Sequence, residues 1–108
     1  MQAVEAQPGN PVMALSGEID MASAGELTVL LKPLIEAGGP VTIDVSEVTF
    51  MDSTGIHAML QAADALEGRG CLIVHGAHGA VRGVLEIVQL RSARRNLHVI
   101  DCDVLAAA

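Results

Sequence analysis

Residues 41–56 read Val-Thr-Ile-Asp-Val-Ser-Glu-Val-Thr-Phe-Met-Asp-Ser-Thr-Gly-Ile. The first part is β-branched and apolar at alternate positions, which predicts a strand, and an amphipathic helix pattern begins at Ile56. Ser53 therefore stands at the start of a helix, where free backbone N–H groups and the positive end of the helix dipole favour an anion. A phosphate on this hydroxyl would be locally tolerated, as a phosphorylation switch requires.

The same stretch also has a simpler explanation. Asp52, Ser53 and Thr54 are all preferred helix N-cap residues, and a lone triplet of this kind is most often a plain cap. An enzyme nucleophile is a poorer match, because the α/β-hydrolase elbow needs glycine two residues before and after the serine, and Met51 occupies the first of those places. No histidine stands in a matching arrangement to act as a base, so we expect no enzymatic activity.

Strand and helix patterns also alternate upstream of this stretch. A strand pattern predicts that Val12, Ala14 and Ile19 point inward. Ser23 and Glu26 then have the spacing of a capping box, which predicts that a helix opens there. Pro33, inside that helix pattern, removes a backbone donor and predicts a kink or a break.

Downstream the alternation continues to the end of the chain. Two more helices are marked by apolar stripes, and two more strands by short apolar runs. They are the stripe of Ile56, Met59, Leu60, Ala63 and Leu66, the run 71–74, the stripe of Val81, Val84, Leu85 and Val88, and the run 97–100. This order predicts one α/β domain over residues 1–108, with right-handed crossovers and a largely parallel sheet.

Three segments together resemble one known family. Phe50-Met-Asp-Ser-Thr-Gly-Ile56 resembles the signature of the STAS domain, the family of anti-sigma-factor antagonists, in which the serine after the aspartate is phosphorylated. Leu15-Ser-Gly-Glu-Ile-Asp20 is similar to the family's Gly-Glu-Leu-Asp turn, and Val81-Arg-Gly-Val-Leu-Glu-Ile87 is similar to its late helix. The resemblance covers residues 11–101; residues 1–10 lack the family's long apolar run, so the sequence leaves open whether they form a strand.

The resemblance implies a fold and a function. The fold would be STAS-like, a mixed and mostly parallel sheet of four to five strands with helices packed mainly on one face. The unphosphorylated chain would bind an anti-sigma factor that is also a serine kinase of the histidine-kinase-like ATPase fold, and so release a sigma factor. Phosphorylation of Ser53 would end this binding, and a phosphoserine phosphatase would restore it. No cofactor is implied.

The resemblance also implies where the partner binds. It places the turn that bears Asp20 beside the phosphorylation loop, and His57 lies on the polar face of the first turn of the Ser53 helix. The expected partner-binding residues are therefore Asp20, Asp52, Ser53, Thr54, Gly55 and His57. The alternative function is a constitutive scaffold subunit, as STAS domains are on the ATPase of bacterial lipid transporters, with Ser53 as a structural helix cap.

Composition narrows the classes of partner. The net charge is −7, and residues 1–67 hold ten acidic side chains against the single base Lys32. With Phe50 as the only aromatic residue, the chain lacks both the charge and the stacking platform for nucleic acid, and an anionic membrane surface is equally unsuitable. A protein partner with a basic patch fits better. With no apolar run of membrane-spanning length and no signal-peptide pattern, we expect a cytoplasmic protein.

Metal and disulfide chemistry are not expected. His75 and His78 have a two-residue gap, but no cysteine or carboxylate cluster accompanies them, and zinc needs three or four ligands; a glycine-rich loop is the expected structure. Cys71 and Cys102 lie in apolar strand patterns, which predicts buried thiols.

Overall fold

A computed structural model of the chain describes residues 1–4, 12–92 and 97–100. Within them, five strands and three helices follow one another along the chain. They are β1 (Gln2–Val4), β2 (Val12–Ile19), α1 (Met21–Ala37), β3 (Gly39–Met51), α2 (Ser53–Leu66), β4 (Gly70–His75), α3 (Gly79–Ser92) and β5 (Leu97–Ile100). None of the described helices is long and apolar enough to cross a membrane.

The strands form one sheet in chain order. β1 pairs antiparallel with β2, and the pairs β2–β3, β3–β4 and β4–β5 are parallel. The predicted mixed and mostly parallel sheet is therefore confirmed. The question left open for residues 1–10 is answered in part, because residues 2–4 are a strand at the edge of the sheet.

The core lies between the helices and one face of the sheet. Along β3, Val41, Ile43 and Val45 are buried, while the alternate residues Thr42 and Asp44 are only half-buried on the opposite face. Buried side chains of α1, α2 and α3 join the same apolar cluster, so the helices cover one face, as predicted. The predicted inward stripe of α2 is confirmed for Ile56, Met59, Ala63 and Leu66, and Leu60 is half-buried.

The inward face of β2 was predicted wrongly for two of its three residues. Ile19 is buried as expected, but Val12 and Ala14 are half-buried, and Met13 and Leu15 are the buried side chains. Both alternating sets are apolar, so alternation alone could not choose between them. The larger pair fills the core.

The first helix also differs from its prediction. It begins at Met21, not after Ser23, because Asp20 is the N-cap and forms the capping box with Ser23. Pro33 neither ends nor splits it. Pro33 and Val29 are both exposed, so the Val29 carbonyl that loses its N–H partner faces solvent and can be hydrated.

Cys71 is a further correction. It lies on β4 but is half-buried, not buried, because it belongs to the sheet face that the described helices leave uncovered. Cys102 lies outside the described residues.

Candidate functional site

Two neighbouring strands end side by side and each leads into a helix. Ile19, the last residue of β2, is the register partner of Met51, the last residue of β3. The Asp52 N–H donates to the Ile19 carbonyl at 3.1 Å, which fastens the two strand ends together. Asp20 and Asp52 then cap α1 and α2. The N-termini of both helices therefore lie at the same end of the sheet, beside the carboxyl ends of β2 and β3. The closeness of Asp20 to the Ser53 loop follows from this pairing.

Asp52 is the cap of α2. Its Oδ1 atom accepts the backbone N–H groups of Thr54 at 3.0 Å and Gly55 at 3.3 Å, and it also accepts the Thr54 hydroxyl. The Thr54 hydroxyl is the main reason why the pKa of Asp52 lies below its ordinary value. Desolvation, the next largest effect, raises this pKa, and the N–H groups of Gly55, Thr54 and Met21 each lower it by less. A negative charge therefore stands next to Ser53.

Asp20 has the same place at the start of α1. Its Oδ1 atom accepts the N–H groups of Ala22 at 3.0 Å and Ser23 at 3.2 Å. In return the Ser23 Oγ atom accepts the Asp20 N–H at 2.9 Å, and Ser23 is buried. The Asp20 carboxylate is thus held as a cap, at the same sheet edge as Asp52.

Ser53 is the first residue of α2, one position after the cap. Its side chain is exposed, and within the described residues its hydroxyl forms no hydrogen bond. Thr54, by contrast, is half-buried and gives its hydroxyl to Asp52. Three side chains with a hydroxyl or carboxyl group could have capped this helix. Asp52 is the cap, Thr54 donates its hydroxyl to Asp52, and Ser53 takes no part in the cap.

Gly55 holds the first turn of α2 against the strand ends. It is buried, and a Cβ atom at this position would lie 2.7 Å from the Ile19 Cγ2 atom and 2.9 Å from the Met51 Cγ atom. A side chain would push the helix outward. Gly55 therefore allows the first turn of α2, which includes Ser53, to pack close to the strand ends. Direct contact between Gly55 and a partner stays a prediction.

A groove between α1 and α2 begins at Ser53. It has a volume of about 470 Å³, and residues of both helices form its walls. From α2 these are Ser53, Thr54, His57, Ala58 and Gln61, and from α1 they are Ala24, Gly25 and Thr28. His57 lies one turn after Ser53 on α2, as the sequence suggested, and its side chain is exposed on this groove. The role of His57 in binding stays a prediction.

The sequence reasoning missed the α1 side of this surface. Met21 is 78% exposed and follows the cap Asp20 as Ser53 follows the cap Asp52. The one available signal was the order strand, aspartate, helix, which occurs twice among the residues that the structure describes. Only the pairing of β2 with β3 brings the two copies together.

Among the residues that the structure describes, no three of the histidine, cysteine and acidic side chains form a group that could hold a metal ion. The His78 Nε2 atom lies 2.9 Å from the Ser46 carbonyl, so this ring ties the loop after β4 to β3.

Comparisons with known proteins add a family and a fold. The family model described as "Mlab, STAS domain" matches residues 2–101. The anti-sigma factor antagonist SpoIIAA in its unphosphorylated form is similar in structure, with a TM-score of 0.61 and 24% identity over 70% of this chain and 72% of that chain. A Thermotoga maritima protein described as a candidate anti-sigma factor antagonist has a TM-score of 0.68 and 14% identity, over 98% of this chain and 90% of its own. No curated protein matches the sequence.

Proposed function

This chain belongs to the STAS domain family, and from that premise we propose that it is an anti-sigma-factor antagonist controlled by phosphorylation of Ser53. The unphosphorylated form binds an anti-sigma factor that is also a serine kinase, and a sigma factor is released. The observation that carries this proposal is the exposed Ser53 hydroxyl, which has no hydrogen bond within the described residues and stands beside an aspartate that already caps the helix.

Ser53 is a better acceptor than Thr54. Its hydroxyl is free to approach a kinase, whereas the Thr54 hydroxyl would first have to leave the Asp52 carboxylate. In the reaction, the Ser53 oxygen bonds to the γ-phosphorus of ATP on the kinase, the bond between that phosphorus and ADP breaks, and a base of the kinase takes the hydroxyl proton. This chain is then the substrate, and the kinase supplies the nucleotide and its magnesium.

The phosphate acts on the contact surface and not on the fold. It adds about −1.5 to −2 charges at neutral pH, next to the carboxylate of Asp52 and near that of Asp20. The positive end of the α2 dipole tolerates the anion locally, so the helix persists. A partner packed against Ser53 meets concentrated negative charge, and a loss of only about 1.4 kcal/mol weakens binding tenfold.

The second candidate is a constitutive scaffold subunit, such as one bound to the ATPase of a lipid transporter. The wording of the matching family model, which names Mlab and not an antagonist, favours it. In that function Ser53 would be a structural cap with no phosphate turnover. The geometry of the cap weighs against this, because Asp52 and not Ser53 accepts the N–H groups of α2.

One experiment separates the two candidates. The kinase-like ATPase encoded nearest to this gene is incubated with ATP and with wild type, Ser53→Ala or Thr54→Ala, and each reaction is run on a phosphate-affinity gel. We expect a shifted band for wild type and Thr54→Ala and none for Ser53→Ala. In a binding assay, Ser53→Asp should bind the kinase more weakly than wild type. Phosphate on Ser53→Ala, or full affinity of Ser53→Asp, would favour the scaffold.

A further inference from the structure

We propose that the groove between α1 and α2 receives an amphipathic helix of the protein partner, with a small apolar face toward the groove and basic side chains on its flanks. This inference rests on the proposed function, since it names the partner chemistry of the same site. Beyond Thr28, Ala58 and Gln61 the groove continues between Ile35 and Ala65, where its lining is mostly apolar. From Ser53 to Ala65 it follows α2 for roughly 18 Å, the length of about 12 residues of helix.

Gly25 is the residue that the chain itself does not explain. It lies inside α1, where glycine is after proline the least favourable residue. Its φ is not positive, and a Cβ atom there would meet nothing within 4 Å. Neither backbone conformation nor packing against another element therefore requires glycine. Its position on the wall of the groove, close to Ser53, leaves room for the backbone of a partner to approach.

The groove suits a helix better than an extended segment. Its walls are two α-helices, whose backbone groups are bonded within each helix beyond the first and last turns. An extended chain lying there would find few partners for its own N–H and C=O groups, whereas a helix satisfies them internally. Ala24, Ala58, Ala62 and Ala65 keep the walls low, which permits close packing of a third helix.

The negative charge of α1 and α2 favours basic side chains on the flanks of the partner helix. With their N-caps, the two helices carry five acidic residues against one base. They are Asp20, Glu26, Glu36, Asp52 and Asp64, against Lys32. Lysine or arginine beside the apolar face of the partner helix would complement this surface and speed the encounter.

The apolar mouth of the groove explains why phosphate would weaken binding and not strengthen it. Met21 precedes Ala24, Gly25 and Thr28 by three, four and seven residues, so it lies on the same face of α1. A partner that packs on Met21 presents apolar atoms to Ser53 as well. A hydroxyl tolerates this contact, but a phosphate dianion would lose its hydration there.

A defined peptide tests the groove without any kinase. The probe is a fluorescein-labelled helix of about 14 residues, with Ala and Leu on one face and Lys on the other, compared with a scrambled peptide of the same composition. By fluorescence anisotropy the full chain should bind the designed peptide at least about tenfold more tightly than the scrambled one. Gly25→Leu should weaken binding by about tenfold, because its side chain fills the groove.

Gly83→Leu is the matched control. Gly83 is an exposed glycine of α3 whose added Cβ would also meet nothing within 4 Å, and it lies outside the groove. Both variants should melt at or above the wild-type temperature, and only Gly25→Leu should lose peptide affinity. Equal binding by the two variants, or no preference for the designed peptide, overturns the proposal.

A second measurement uses the kinase that phosphorylates Ser53, with Ser53→Ala as the background so that no phosphate accumulates. Adding Gly25→Leu should weaken kinase binding, and adding Gly83→Leu should not. Full kinase affinity with Gly25→Leu overturns the groove while the phosphorylation switch stands. Selective peptide binding together with no kinase activity on Ser53 supports the groove and refutes the switch.

Discussion

The Asp52 N–H donates to the Ile19 carbonyl at 3.1 Å, across the ends of two parallel strands. This bond joins the first βα unit of the site to the second, because Asp52 caps α2 and Ile19 immediately precedes the cap of α1. Strand pairing and two helix caps therefore hold in place the backbone segment that carries the exposed hydroxyl of Ser53.

Because Thr54 takes part in the helix cap and Ser53 does not, we expect Ser53→Ala to be more stable than Thr54→Ala. Ser53→Ala should change the free energy of unfolding by no more than about 0.5 kcal/mol, because no hydrogen bond within the described residues is lost. Thr54→Ala should be the more destabilising change, because it removes the hydroxyl that the Asp52 carboxylate accepts. Urea unfolding of both variants measures this. Greater loss in Ser53→Ala would show that its hydroxyl is part of the cap.

Acid should weaken the Asp52 cap. The pKa of Asp52 is lower in the folded chain than the ordinary aspartate value of about 3.9. Its charge therefore stabilises the fold above that value, and the stabilisation is lost as the pH falls through the lower, folded-state pKa. Asp52→Asn keeps an acceptor but not the charge. We expect it to be less stable than wild type at pH 6 and to approach wild type as the pH falls below the folded-state pKa.

Carbon-detected NMR titration of the Asp52 carboxyl group checks this directly. Its midpoint should lie below the aspartate value of about 3.9 and should rise in Thr54→Ala, since the Thr54 hydroxyl is the main cause of the shift. An unchanged midpoint in Thr54→Ala would contradict the assigned cause.

Two glycines of the site should respond to alanine in opposite directions. Gly55→Ala places a methyl group 2.7 Å from the Ile19 Cγ2 atom and should destabilise the fold by about 1–3 kcal/mol. Gly25→Ala enters open space in a helix and should stabilise by about 0.5–1 kcal/mol. Thermal unfolding of both variants gives the signs. A neutral Gly55→Ala would mean that α2 does not sit so close to the strands.

Cys71 should be reactive in the native state. Its half-buried place on the uncovered sheet face lets a thiol reagent reach it without unfolding, and Cys71→Ser should alter the free energy of unfolding by less than about 1 kcal/mol. Because the face is opposite to the helices, partner binding should be unaffected. If Cys71 reacts only after urea is added, its thiol is buried in the core, as the sequence first suggested. The Cys102→Ser background keeps the second thiol out of the measurement.

The sequence predicted the features that depend on local preferences. The strand before Ser53, the helix after it and the apolar stripe of α2 all follow from spacing and residue type. Identity of the cap did not follow, because Asp52, Ser53 and Thr54 have similar preferences for that place. The structure distinguishes them by which side chain turns back onto the helix N–H groups.

Features that depend on tertiary placement were predicted less well. Two overlapping capping boxes were possible around Ser23, and the one with Asp20 forms because that residue directly follows the end of β2. The groove beside Ser53 could not be predicted at all. It exists because β2 and β3 are neighbours in the sheet, and nothing in the spacing of Ala24 or Gly25 reveals which helix will lie alongside.

The doubled arrangement of strand, aspartate cap and helix limits how many phosphates the two positions directly after the caps can accept. The position after the cap is Ser53 in one copy and Met21 in the other, and methionine has no hydroxyl to accept a phosphate. These two positions together therefore offer one hydroxyl, that of Ser53. Under the proposed phosphorylation of Ser53, each molecule therefore has two states at these positions, and a graded response has to come from the fraction of molecules that carry the phosphate.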